Sequence, residues 1–177
     1  MSNETYWTPE HLEEVVSQRA RILGLHPHLR VTNRIGIGVI DNPDEIVAAL
    51  KGDARVEDAA SVVQSQMLVS AGDTLIGVFA RGVDGKSGSS TAGIEAYVTE
   101  GSIDDVGKRI ASEGVELPTI MIGRELADKL MVERGDILRL MSPKFSASPM
   151  GALPRSRRFV VAALFDSGMV EYDLSLI

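Results

Sequence analysis

Apolar positions recur at two periods along this chain, and the places where the period changes mark its elements. Thr8-Pro9 is a helix start, with Thr as N-cap and Pro at the first helical position. Leu12, Val15, Val16, Ala20 and Leu23 follow at helical spacing until Gly24, with Glu13, Glu14, Gln18 and Arg19 on the other face. The pattern fits a surface helix packed on the core, or the outward continuation of a membrane helix. Leu29–Ile40 reads as a strand, with Gly36 and Gly38 marking a bend or a close backbone approach. Asn42-Pro43-Asp44-Glu45 is a capping-box sequence opening a helix with Ile46, Val47 and Leu50 on one face, stopped at Gly52. Ala60–Ser70 and Thr74–Gly82 predict a hairpin around Ala71-Gly72-Asp73.

Ser102 with Asp105 is a further cap signal, predicting a short helix bearing Ile103, Val106 and Ile110 and closed by Gly114. Thr119–Ile122 reads as a strand, Gly123 as a turn, and Arg124–Leu130 as a short helix burying Leu126, Ala127 and Leu130. Ile137–Met141 and Phe159–Leu164 are strands, and the tail after Gly168 reads as extended. It has no C-cap or polar finish, as in a chain cut rather than ended. Strand, helix and hairpin in this order predict an α+β fold.

Between the last two strands lies a segment too irregular for a helix or a strand. Its prolines, Pro143, Pro149 and Pro154, restrict the backbone, and Phe145, Met150 and Leu153 stand where a linker would be polar. Arg155, Arg157 and Arg158 follow. A connection beyond about 12 residues is usually functional or disordered. The segment therefore reads either as a stiffened docking arm with apolar tips and a basic root, or as a mobile solvent loop.

Composition narrows the chemistry. With 177 residues, 44% hydrophobic and 24% charged, the chain is long enough for one domain or two small subdomains with a sizeable core. Its net charge of −7 argues against a nucleic-acid partner. The absence of cysteine removes disulfides, thiolate chemistry and cysteine zinc sites. No apolar run approaches the ~18–20 residues of a membrane span, and the N-terminus lacks the pattern of a signal peptide. The chain is expected to be soluble as it stands, and still to be a piece of something that is not.

Little else points to catalysis. His26 and His28 on a strand would share a face, but no Cys, Asp or Glu stands at ligand spacing, so no metal is expected. Gly36-Ile37-Gly38 lacks the third glycine of a dinucleotide site. Gly85-Lys86-Ser87, within the polar Val83–Thr91 stretch, has Ala80 where a phosphate loop needs glycine. No cofactor is expected. An enzyme would have to work with His26, His28, Asp166 and Glu171, without a nucleophile motif.

The segments IMIGRELADKL, VERGDILRLMSP and LPRSRRFVVAALFDSGMVEYDLSLI resemble the periplasmic domain of lipoprotein-releasing permease subunits of the LolC/LolE type, within the MacB/FtsX-like class of ABC transporters. The matching anchors are Ile122, Gly123, Leu126, Ala127, Leu130, Val132, Gly135, Asp136, Leu140 and Pro143, then Arg158, Phe159, Val161, Phe165, Ser167, Gly168, Tyr172 and Asp173. ILGLHPHL (Ile22–Leu29) resembles the point where the first membrane helix enters the domain, so the likeness runs from Arg21 to Ile177. Met131 and Ala163 depart from the family pattern, which more often has a small polar residue or glycine there. The opening MSNETYWTPEHLEEVV does not match a membrane helix.

The resemblance implies a non-catalytic periplasmic domain of an inner-membrane protein, with a MacB-like core. Residues 1–27 would lead from the first membrane helix, 28–84 and 158–177 would form a mixed α/β porter-like subdomain, and 85–157 an inserted second subdomain. It implies a cytoplasmic ATPase subunit, a second permease subunit, lipoprotein substrates and a soluble periplasmic carrier of the LolA type. In the LolC-like branch a hook loop binds that carrier beside a surface pad. The hook falls on Lys144–Arg155, with Lys144, Phe145, Pro149, Met150, Leu153, Pro154 and Arg155 as contacts, and Arg157 and Arg158 as pad residues by position. Whether the subunit is LolC-like, LolE-like or combined stays open. A MacB-like efflux or FtsX-like regulatory permease would keep the fold and change the partner; co-purification of a lipoprotein carrier, or of an outer-membrane channel or cell-wall hydrolase, separates the two.

Overall fold

The computed structural model describes residues 28–33, 39–83, 93–148 and 151–177, and for 83, 144–148 and 151–154 the backbone alone. The chain divides into two units, Met1–Asp41 and Asn42–Ile177. The first is described only at 28–33 and 39–41, where no strand forms. Leu29, Val31 and Val39 are exposed at 84%, 52% and 81%, so these three apolar side chains of the stretch read as a strand are not buried in a core. The helix expected after Thr8, together with His26, Gly36 and Gly38, lies outside the described residues.

The second unit is sheet-rich with few helices. It opens with α1, Pro43–Lys51, with Pro at its first position as expected. The capping box does not form. Asn42 stands in the left-handed region (φ 50°, ψ 55°), and its side chain makes no cap hydrogen bond. A capping residue needs extended backbone to aim its oxygen at the first turn; here the turn is closed by the backbone instead, Glu45 N–H to Asn42 C=O at 3.2 Å. Ile46, Val47 and Leu50 are half-buried.

Strands β1 (Val62–Ala71) and β2 (Thr74–Val83) form the expected hairpin, in register from Ala71↔Thr74 to Val62↔Val83. After β3 (Val98–Glu100), Ser102 caps as read, its hydroxyl accepting from Asp104 N–H at 3.2 Å. The result is a single 3-10 turn, Ile103–Asp105, not a helix to Gly114. Gly107 takes φ +78°, which a helix cannot carry, and the chain turns into β4, Arg109–Ser112. Glu113 and Gly114, at φ +51° and +75°, form a tight hairpin turn into β5 (Val115–Gly123). Ile110, expected on a buried helical face, is 40% exposed in β4.

β5 runs straight into α2, Arg124–Leu130, which buries Leu126, Ala127 and Leu130 as the spacing predicts. Arg124 ties the start of α2 to β3 through Glu100 at 2.7 Å and the Thr99 hydroxyl at 3.0 Å. The Glu100 carboxylate holds its guanidinium above the ordinary arginine pKa. β6 (Ile137–Ser148) and β7 (Gly151–Phe165) complete a seven-stranded sheet ordered β2-β1-β6-β7-β5-β4, with β3 paired to β7. β5 and β7 are parallel and the other pairs antiparallel.

The tail is not extended. Val170–Ser175 form a helix, α3, and only then does Leu176 bridge to Phe79 on the outer edge of β2. Ile177 N–H bonds Phe79 C=O at 3.1 Å, and Arg81 N–H bonds Ile177 C=O at 2.8 Å. Two apolar clusters result. One joins Val69, Val78, Ile122, Leu138, Leu140, Val161, Leu164 and Ile177 around the buried face of α2; the other gathers Met121, Ala163, Phe165 and Leu176. Residues from β1, β2, β5, β6 and β7 all reach the first cluster, so the sheet wraps around α2.

Candidate functional site

The segment read as an irregular loop is mostly strand. β6 and β7 pair from Ile137↔Val160 to Met141↔Ser156, shift register, and pair again from Phe145↔Pro154 to Ser148↔Gly151. Three prolines hid this from the sequence, since proline cannot donate to a ladder. A two-stranded ribbon has outer edges where the missing donor costs nothing. The last β1 pair on β6 is Leu68↔Met141, and the first β5 pair on β7 is Thr119↔Val160. Beyond Met141 and Ser156 the hairpin therefore runs on without sheet neighbours among the described residues. Ser148-Pro149-Met150-Gly151 was the available signal: Ser, Pro and Gly stand at turn positions one, two and four.

The expected site residues fall along this hairpin. Lys144 and Phe145 lie in β6 and Leu153 and Pro154 in β7, described by backbone only; Pro149 and Met150 lie outside the described residues. At the root, Arg155, Arg157 and Arg158 belong to β7, and the first two are exposed. Strand alternation puts Arg155 and Arg157 on one face and Arg158 on the other. The Arg157 guanidinium lies 5.8 Å from the centre of the Phe159 ring, within cation–π range. Arg158 donates to Glu113, in the β4–β5 turn, at 2.8 Å. Directly across the ladder from Arg158 stands Arg139, so Glu113 offsets part of a like-charge pair. Glu113 is 45 residues away in sequence, and no spacing could have revealed it.

Beside the root runs an open, shallow groove lined by Ser70, Gly72, Ile137, Arg139, Met141 and Arg158. Its described lining combines the basic Arg139 and Arg158 with the apolar Ile137 and Met141. Among the described residues no group of three or more His, Asp or Glu is placed to hold a metal. His28 is exposed, Asp166 accepts the Gly168 N–H at 2.9 Å, and Glu171 lies exposed on α3. No helix among the described residues is long and apolar enough to cross a membrane.

The residues that carried the family resemblance are largely core. Ile122, Leu126, Ala127, Leu130, Leu140 and Val161 sit in the first cluster, and Phe165 in the second. Ser167 and Asp173, 2% and 1% exposed, build a buried polar knot. Asp173 accepts the Ser167 hydroxyl at 2.6 Å and its N–H at 3.1 and 3.2 Å; the Ser167 oxygen accepts Met169 N–H at 3.2 Å. This knot turns the chain from β7 into α3.

The comparisons with known proteins find likeness to membrane proteins of lipoprotein-releasing systems. The lipoprotein-releasing system transmembrane protein LolC of Xylella fastidiosa strain Temecula1 is 28% identical over 158 residues, covering 89% of this chain and 36% of that protein. LolC of Neisseria meningitidis serogroup B is 26% identical over 162 residues, with the same coverage. No family model matches the chain. The similarity supports a LolC/LolE-like family, and the chain spans about a third of the length of the curated relatives it matches, 36%.

Proposed function

We propose that this chain is the periplasmic domain of the membrane subunit of a lipoprotein-releasing ABC transporter, and that the β6–β7 hairpin docks the periplasmic lipoprotein carrier. The observation that carries the reading is the hairpin itself, continuing past Met141 and Ser156 after both sheet neighbours have ended. Likeness to LolC over 89% of the chain supports the choice of transporter. In this reading Lys144, Phe145, Pro149, Met150, Leu153, Pro154 and Arg155 form the hook, and Arg157 and Arg158 flank it. Residues 28–84 and 158–177 make the porter-like part, and 85–157 the inserted part, of a MacB-like core. The domain is non-catalytic: a cytoplasmic subunit hydrolyses ATP, and the domain couples that motion to release of lipoproteins from the inner membrane. A second permease subunit completes the complex.

Burying Met150 and Leu153 against a carrier would contribute roughly 1.5–3 kcal/mol each, and the prolines lower the cost of ordering the arm. The test is a titration with the carrier from the same organism, beside a variant with Phe145–Leu153 replaced by Gly-Ser. Binding by the parent and none by the folded deletion is expected. Equal binding by both would end the hook assignment.

A further inference from the structure

We propose that the outer half of β1, Val62–Met67, is a strand-addition site for an extended, amphipathic segment of another polypeptide that carries an acidic residue on its polar face. The site lies on the edge of β1 that faces β6, beside the root of the proposed hook, and does not depend on what the hook binds.

β1 pairs with β2 along its whole length, but with β6 only from Leu68 to Ser70. Past Leu68 its second edge has no partner among the described residues, and Val62–Gln66 are exposed, Val63 at 70%. Which groups point outward follows from the turn. A two-residue turn makes Ala71 and Thr74 the pair that exchanges both hydrogen bonds. Alternation then directs the N–H and C=O groups of Val63, Ser65 and Met67 toward β2, and those of Val62, Gln64 and Gln66 away from it. Leu68 and Ser70, which share the outward parity, are the residues β6 takes up. Among the described residues no strand pairs with the three outward sets beyond them; the Ser65 hydroxyl donates to the Gln66 C=O at 3.3 Å, a contact an added strand would share or displace.

Natural sheets blunt such edges with a charge, a proline or a bulge. VVQSQM has no charge and no proline, and its register with β2 is unbroken. The two faces specify the occupant. On one, Val63, Ser65 and Met67 lead to Val69 in the core, so apolar side chains on that side of an added strand would extend the cluster. On the other stand Gln64 and Gln66, with Arg81 opposite Gln64 on β2. Arg81 has no salt-bridge partner among the described residues, and β1 supplies no acid, so the incoming strand is the source of one. A second copy would bring the same uncharged strand and a net charge of −7, which repels its twin.

The probe is the capped peptide Val-Thr-Val-Glu-Val-Thr, titrated into the 177-residue chain with amide hydrogen exchange read residue by residue. Saturable binding is expected, slowing exchange at Val62, Gln64 and Gln66 at least tenfold. Gln64→Pro removes an outward N–H and leaves the β2 ladder intact, so its core amides should exchange as in the parent while peptide affinity falls at least tenfold. Arg81→Gln should weaken this peptide and leave the version with Gln in place of Glu unaffected. Absence of saturable binding at millimolar peptide, protection at another strand, or parent-like affinity in Gln64→Pro would each overturn the proposal. So would dimerisation of the parent without peptide that Gln64→Pro abolishes, since the occupant would then be a second copy.

Discussion

Asp173 and Ser167 hold each other through three hydrogen bonds in a setting almost without water: hydroxyl to carboxylate at 2.6 Å, and one N–H shared by both carboxylate oxygens at 3.1 and 3.2 Å. A charged acceptor makes such bonds stronger than neutral ones, and removing it strands two buried donors. Asp173→Ala should cost about 2–4 kcal/mol in urea unfolding, and Ser167→Ala about 1–2 kcal/mol, because the Ser167 N–H bonds to Asp173 survive the second change while the hydroxyl's bonds to Asp173 and from Met169 N–H are lost. Equal losses would show that the hydroxyl alone carries the knot.

Gly123 closes β5 against the same knot. A Cβ there would fall on the backbone carbonyl of Asp173, with nothing flexible to give way. Gly123→Ala should destabilise by about 3 kcal/mol or more, and hydrogen exchange should locate the damage in α3 and the Leu176-Ile177 bridge. A variant as stable as the parent would mean that α3 shifts without penalty.

Met131 ends α2 in the left-handed region, φ 53° and ψ 49°, and is 84% exposed. Its side chain contributes little burial, while its Cβ strains the backbone by about 1–2 kcal/mol. Met131→Gly should raise stability by about 0.5–1 kcal/mol after glycine's greater unfolded-state entropy is counted. Thermal unfolding checks this; a fall in midpoint would assign Met131 a packing role.

Arg157 and Arg158 should behave differently in carrier binding. Arg158 is compensated by Glu113, whereas Arg157 has only the Phe159 ring among the described residues. Arg157→Glu is expected to weaken carrier binding at least tenfold and Arg158→Glu less than threefold, in parallel titrations. The Arg158–Glu113 pair is exposed, 39% and 62%, so Arg158→Ala should change stability by no more than about 1 kcal/mol. The reverse ranking in binding would count against Arg157 as the flanking contact of the proposed hook.

Local chemistry was legible where it was self-sufficient. Arg124–Leu130 forms as its spacing predicts because Leu126, Ala127 and Leu130 define one buried stripe. The β1–β2 hairpin follows from a short turn between two apolar runs. The misreadings share one cause, which is that a neighbouring segment a few residues along the chain, itself unrecognised, decided the outcome. Ser102 starts a turn correctly, but pairing with β5 claims Arg109–Ser112 before a helix can grow. Residues 144–148 and 151–154 look irregular alone and become strand because each supplies the other's ladder. The tail reads as extended until Asp173 finds Ser167 and folds Val170–Ser175 into a turn and a half of helix. The hairpin's place in the chain was legible; the Glu113 anchor at its root was not.

β7 is a single strand of 15 residues, about 50 Å of backbone at ~3.3 Å per residue. One end pairs Gly151 with Ser148 in the projecting ribbon, and the other pairs Phe165 with Gly123 deep in the core. No hinge loop separates them. The backbone that pairs in the ribbon is thus continuous with the backbone that pairs in the core. Each of the three ladders of β7 carries one register shift: between Met141 and Phe145 on β6, between Ile120 and Met121 on β5, and between Val98 and Glu100 on β3.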